Sequence, residues 1–138
     1  MIKQNYIWEP TPKFISESNL TKYIKFISQN YGFKSSKNYN DLWQWSVDNP
    51  EQFWDSIWVF SEVIGDKGKR VLINSDLMPG AKFFPEAKLN YAENLLKKSD
   101  EHISIVSIRE DGEKKAISKK ELKNKVMLMA AWLKKQGI

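Results

Sequence analysis

The sequence contains no cysteine, a single histidine (His102), and only two arginines, Arg70 and Arg109, against twenty lysines. Without cysteine there can be no disulfide, no thiolate metal site and no cysteine nucleophile. One histidine, with carboxylates scattered among lysines, leaves a transition-metal centre short of ligands. The scarcity of arginine qualifies the net charge of +5. Base-reading sites favour the planar guanidinium fork, whereas lysine is a hydrated point charge. The surplus therefore reads as a solvated lysine-rich surface, and no nucleic-acid partner is expected. No run approaches the ~18 apolar residues of a membrane helix, and MIKQNYIWEP lacks the apolar centre of a signal peptide. A cytoplasmic protein with no membrane partner is the expectation.

Aromatic residues are plentiful instead. All except Trp132 precede residue 92, so the first two thirds of the chain must bury large rings or offer them to a partner. A hydrophobic content of 41% with 28% charged residues indicates a globular chain rather than a disordered one. Its length suits one ordinary domain.

Residues 1–17, with Pro10, Pro12 and the apolar Ile7, Trp8, Phe14 and Ile15, read as an extended packing arm. A first helix follows, capped by Ser18 or Asn19, with Leu20, Tyr23, Ile24 and Ile27 on one face and Gly32 as its stop. Asn40 is the expected cap of a second helix, with Leu42, Trp45 and either Val47 or Trp43 turned inward. Asn49, Pro50 and Gln52 suggest a capping box with a first-turn proline for a third helix. Phe53, Ile57, Phe60 and Ile64 form its stripe, Trp54 and Trp58 flank it, and Gly65 ends it. That stripe is wide enough to need cover on two sides. Pro79, Gly80 and Pro85 impose loop conformations around Phe83 and Phe84.

Asn90 with Glu93 opens a short helix, with Leu95 and Leu96 on its apolar side. HISIVSIRE and KKAI, joined through Asp111-Gly112, read as a β-hairpin. Ile103 and Ile105 share one face while Val106 and Ile108 share the other, which requires either two buried faces or a bulge. Ser118 with Glu121 starts a last helix running through Lys135, its buried stripe being Leu122, Val126, Met129, Ala130 and Leu133. Gly137 stops it, and Ile138 reads as the first step into a further element. Since a lone hairpin is marginal, this organisation reads as part of a larger domain.

No complete active site emerges. His102, beside Asp100 and Glu101, would need an oriented nucleophile such as Ser104 or Ser107, and strand geometry supplies none. The Gly65–Gly68 segment GDKG lacks the glycine density and strand–loop–helix setting of a phosphate loop. Glu110, Asp111 and Glu113 cluster at a hairpin turn, where solvation accounts for them. Trp43, Trp45, Trp54 and Trp58 could form a recognition platform, although Trp54 and Trp58, four apart on one helix, suit core packing better.

One stretch carries a family likeness. MPGAKFFPEAKLNYAENLL (Met78 to Leu96) resembles the N-terminal signature of acetoacetyl-CoA synthetases, within the adenylate-forming, AMP-binding superfamily. The matching positions are Phe83, Phe84, Leu89, Asn90 and Asn94; Phe83 stands where tryptophan is usual. YNDLWQWSVDNPEQFWDSIWVF fits the family's Leu-x-x-Trp-Ser-Val and Pro-x-x-Phe-Trp habit, and ISKKELKNKVMLMAAWLKKQGI resembles the superfamily's Ser-x-x-Glu-Leu helix.

The resemblance implies an α+β or α/β fragment: N-terminal helices and an aromatic loop, then a hairpin and a helix, opening the large N-terminal domain of an adenylate-forming enzyme. Residues 1–98 would be the acetyl-CoA-synthetase-type N-terminal region and residues 99–138 the start of the AMP-binding domain. The parent would be a cytoplasmic ligase of lipid metabolism that activates acetoacetate with ATP and transfers the acyl group to CoA, aided by Mg²⁺. Its catalytic, cofactor-binding and metal-binding residues would all lie after Ile138, so none is assigned here. ATP, Mg²⁺ and CoA are not expected to bind the fragment, which would be inactive alone and would partner the remainder of the adenylating domain. The alternative is a freestanding helical interaction module without catalysis.

Overall fold

The computed structural model describes residues 7–34 and 38–138. These belong to two compact units, Met1–Lys88 and Leu89–Ile138. The elements in chain order are α1 (Pro12–Glu17), α2 (Asn19–Asn30), α3 (Tyr39–Asp48), α4 (Pro50–Phe60), β1 (Leu72–Ile73), β2 (Lys82–Phe83), α5 (Tyr91–Leu95), β3 (Ile103–Ile108), β4 (Lys114–Ser118) and α6 (Lys119–Lys135).

The expected arm is in part helical. Thr11 caps α1 by accepting from the Phe14 N–H at 3.2 Å, and Pro12 occupies the first turn, where its missing N–H costs nothing. Ser18 caps α2 as expected, accepting from Thr21 N–H. The cap of α3 is Asn38 rather than Asn40; its Oδ1 takes the Asn40 N–H at 3.0 Å. Asn49 does precede α4 with Pro50 in its first turn, but it makes no side-chain cap there. Its backbone N–H and its Nδ2 both donate to the Trp45 carbonyl, so the residue closes α3 instead of opening α4 with a box.

Helix α4 ends five residues before Gly65. The Glu62 N–H reaches the Val59 carbonyl and the Val63 N–H reaches that of Trp58, a Schellman pair. Glu62, at φ +53, occupies the left-handed position where glycine is usual. Ile64 therefore lies outside the helix and is part-exposed.

Ile27, Tyr23, Phe33 and Leu42 are the buried centre of the first unit, with Phe26, Trp45, Phe53, Ile57 and Phe60 packed against them. Rings meet edge-on or tilted, as their quadrupoles favour: Tyr23 and Phe60 at 5.2 Å, Phe33 and Trp45 at 5.5 Å. One polar pair lies inside. Ser56 is fully buried and donates to the Phe53 carbonyl at 2.7 Å. Its single proton is then spent, so the Tyr23 hydroxyl must donate to Ser56 Oγ across 2.6 Å. Burial raises the Tyr23 phenol against the opposing pull of that bond. Ser56→Ala orphans a buried donor and should cost about 1–3 kcal/mol, while Tyr23→Phe removes the donor itself and should cost closer to 1 kcal/mol. Urea midpoints of both variants and the double mutant decide this; equal losses would contradict the assigned donor direction.

Residues 65–88 form a strap that doubles back on itself. Asp66 and Lys88 exchange backbone hydrogen bonds at its base, and the Phe84 N–H reaches the Val71 carbonyl at 2.7 Å. Leu72 pairs with Phe83 and Ile73 with Lys82 in an antiparallel two-strand ladder. Two-residue strands leave no periodicity in a sequence, and none was foreseen here. The strap delivers Phe83 onto Trp54 at 5.0 Å and Phe84 onto Trp58 at 4.8 Å. Helix α4 is thus covered on two sides, by the core and by the strap.

In the second unit, Asn90 caps α5 by accepting the Glu93 N–H at 3.2 Å. Asn90→Ala should lower stability by ~1 kcal/mol, and an unchanged thermal midpoint would remove the role. β3 and β4 pair antiparallel with a register shift between Ile103 and Ile105, a bulge being one of the two arrangements that the mixed phase allowed. Gly112, at φ +81, shapes the turn, with Arg109 N–H on the Glu113 carbonyl.

Ser118 caps α6 through Glu121 N–H, and Gly137 ends it with its N–H on the Lys134 carbonyl. The buried stripe expected on α6 is not buried: Val126, Met129 and Ala130 are exposed, and Leu122 and Leu133 only half-covered. Nor is either face of β3. A two-stranded hairpin is narrower than a 17-residue helix is long, since each strand adds only about 4.8 Å of width.

Candidate functional site

The sequence-level candidates for chemistry separate in the structure. His102 is exposed, with Nδ1 3.2 Å from Asp100 Oδ1. Its carbonyl accepts the Lys119 N–H and that of Asp100 accepts the Lys120 N–H, so this corner secures the start of α6. Ser107 donates to the Lys115 carbonyl across the hairpin. Glu113 pairs with Arg109 at 2.6 Å and with Lys115 at 3.3 Å, and Asp111 with Arg109 at 3.4 Å. Asp111 and Glu113 at the hairpin tip are therefore held by exposed cations. Among the described residues, no group of three His, Asp or Glu could hold a metal ion.

Gly65–Gly68 is a charged turn. Asp66 Oδ1 accepts the Gly68 N–H at 2.9 Å, and the next two residues are taken by Glu86: Lys69 N–H at 2.9 Å and Arg70 Nε at 2.7 Å. The Lys69 N–H, then Arg70, draw the Glu86 carboxyl below its ordinary range. The Gly68 and Lys69 amides and the Arg70 guanidinium are thus engaged by the carboxylates of Asp66 and Glu86.

A three-residue network crosses the first unit. Asp55, on α4 between Trp54 and Trp58, accepts the Tyr31 hydroxyl at 2.7 Å and the Lys67 ammonium on its other oxygen. Burial pushes the Asp55 carboxyl upward, but the hydrogen bonds from Lys67 and Tyr31 and the lysine charge outweigh it and hold the group below its ordinary range. Burial and the same carboxylate push the Tyr31 phenol up. Because the folded pKa lies below the unfolded one, this stabilisation is present above the unfolded value and fades as pH falls through the folded one, below about pH 4. Asp55→Asn should therefore destabilise at pH 7, and its gap from wild type should narrow on acidification below pH ~4. Urea midpoints at several pH values test this; a gap independent of pH would refute it. Nothing in the sequence flagged the trio, since its members lie 12 and 24 residues from Asp55.

Trp45, Trp54 and Trp58 are packing residues, bound up with Phe33, Phe53, Phe83 and Phe84. Trp43 alone of the proposed platform is largely open. It borders an apolar groove of about 270 Å³ with Leu20, Tyr39, Leu42, Phe53 and Ile57, which presents no convergent charged groups. No described helix is long and apolar enough to cross a membrane.

The most prominent arrangement in the first unit is thus two aromatic pairs, Phe83 on Trp54 and Phe84 on Trp58, held between the strap and helix α4. Residues 39–95 match the family model described as acetyl-coenzyme A synthetase N-terminus. The wider likeness is to acetoacetyl-CoA synthetases: 33% identity to that of Rhizobium meliloti over 96% of this chain and 20% of the relative, and 32% to that of Xenopus tropicalis over 100% and 21%. The solved acetoacetyl-CoA synthetase from Streptomyces lividans shares the fold at a TM-score of 0.76 and 30% identity, over 95% of this chain and 21% of that one. A malonamoyl-CoA synthetase of Penicillium aethiopicum is 29% identical over 75% of the chain and 15% of the relative. The chain, an α+β segment, is thus similar over nearly all of its length to the acetoacetyl-CoA synthetases, and it spans about a fifth of the length of these relatives.

Proposed function

We propose that this chain is the N-terminal scaffold of an acetoacetate–CoA ligase. In that reaction the acetoacetate carboxylate displaces pyrophosphate from ATP, giving an acyl-adenylate, and the CoA thiol then displaces AMP. The observation that carries the reading is end-to-end likeness to acetoacetyl-CoA synthetases in both sequence and fold. Residues 1–98 serve as the acetyl-CoA-synthetase-type region and 99–138 begin the AMP-binding domain, in a cytoplasmic enzyme.

The segment acts by shape. Tyr31, Asp55 and Lys67 tie the strap to α2 and α4, Phe83 and Phe84 lock onto the two tryptophans, and the assembly braces the remainder of the adenylating domain. ATP, CoA and Mg²⁺ are handled by that remainder, and the chain alone is inactive. Similarity to a malonamoyl-CoA synthetase supports placing the choice of acyl group outside this segment. All the relatives named above are synthetases, which favours an enzyme part over a freestanding module.

The test is a chimera in which this chain replaces the matching N-terminal fifth of the Rhizobium meliloti enzyme. Acetoacetate-dependent pyrophosphate release and CoA consumption are expected from the chimera and not from the chain alone. A folded chimera without activity, or adenylation by the isolated chain, would overturn the proposal.

A further inference from the structure

Between Lys125 and Lys134, α6 reads VMLMAAWL, eight uncharged residues in succession. Leu122, Val126, Met129 and Leu133 share one flank, the one on which the two half-covered leucines lie. At about 100° per residue, Met127 and Leu128 stand roughly 130° to either side of that flank. They are 58% and 73% exposed, and Trp132 is 56% exposed. Lys125, Leu128, Met129 and Trp132 line a shallow apolar concavity of about 500 Å³ that runs from the edge of that flank, at Met129, out to Leu128. A helix lying on a surface keeps polar residues opposite its apolar stripe, whereas one apolar all round is buried all round.

A second copy is a poor occupant. Helix α6 carries six lysines (119, 120, 123, 125, 134 and 135) and one acid, Glu121, so two such helices laid together oppose like charges. The Streptomyces lividans structure, by contrast, contains this fold as 21% of a longer chain. We infer that α6 is an internal helix, covered on two separate faces by the remainder of an acetoacetyl-CoA-synthetase polypeptide. The hairpin and a layer beyond it occupy the Val126 side, and a separate layer seats on Leu128 and Trp132. This deepens the scaffold reading and rests on it for the occupant.

The chain's lack of cysteine makes a direct test simple. Leu128→Cys and Val126→Cys are each placed in the free chain and in the chimera, and thiol labelling of the α6 peptide is followed by mass spectrometry. Both positions should label rapidly in the free chain and be protected by about tenfold or more in the chimera. Equal labelling of Leu128→Cys in the two settings would mean only one face is covered and would overturn the inference. So would protection in the free chain accompanied by dimerisation in sedimentation. An inactive chimera with both thiols protected would sink the ligase reading and leave the buried helix standing.

Discussion

Replacing Ile27 by alanine should lower the stability of the first unit by about 2–5 kcal/mol, the range for removing a buried branched side chain without full collapse of the cavity. Ile27 is fully buried and shares its centre with Tyr23, Phe33 and Leu42, around which five aromatic side chains are packed. Rings cannot flow into the space a deleted sec-butyl group leaves, because each is already held against another: Tyr23 against Phe53 and Phe60, Phe26 against Tyr31 and Phe60. The loss should therefore fall in the upper part of that range. Leu20→Ala, on the same helix but 46% exposed, serves as the control and should cost well under half as much. Chemical denaturation followed by tryptophan fluorescence measures both. Similar losses at the two positions would show that the core is not centred on Ile27.

Gly68→Ala should cost about 2–4 kcal/mol, although it adds one methyl group at the surface. Two effects combine. Gly68 has φ +73, and a Cβ placed there would lie 2.6 Å from Glu86 Cβ and 3.3 Å from the Glu86 backbone carbon. The side chain of Glu86 cannot simply swing aside, because its carboxylate holds Lys69 N–H and Arg70 Nε. Relief of the clash must open the base of the strap, and with it the seating of Phe83 and Phe84 on α4. Gly112→Ala separates the contributions: φ is +81 there, but nothing lies within 4 Å of the added Cβ, so only the backbone cost of about 1 kcal/mol remains. Equal melting-temperature losses for the two variants would rule out the close approach as the cause.

What could be read without coordinates follows the range of the interaction. Ser18, Asn90 and Ser118 each cap a helix by accepting an N–H three residues ahead, and Gly112 and Gly137 sit where a positive φ is needed. Each is a local event, written in adjacent letters. Asn38 and Asn49 show the limit even there, since a run rich in asparagine offers several equivalent caps: Asn38 rather than Asn40 caps α3, and Asn49 bonds back to Trp45 instead of capping α4. The family likeness was equally legible, because it lies in spacing along the chain: Phe83, Phe84, Leu89, Asn90 and Asn94.

The sequence by itself determined the helical segments from α2 onward and the hairpin, the absence of thiol chemistry, and the likeness to acetoacetyl-CoA synthetases that the comparisons show. Only the tertiary structure decided which rings meet, that Asp55 unites Tyr31 with Lys67, that Glu86 closes over Gly68, and that the apolar flanks of α6 are left open. The physical reason is separation. Hydrogen bonds within a turn depend on neighbouring dihedral angles, whereas contacts 12 to 33 residues apart depend on how whole elements pack, and burial depends further on everything available to cover a surface.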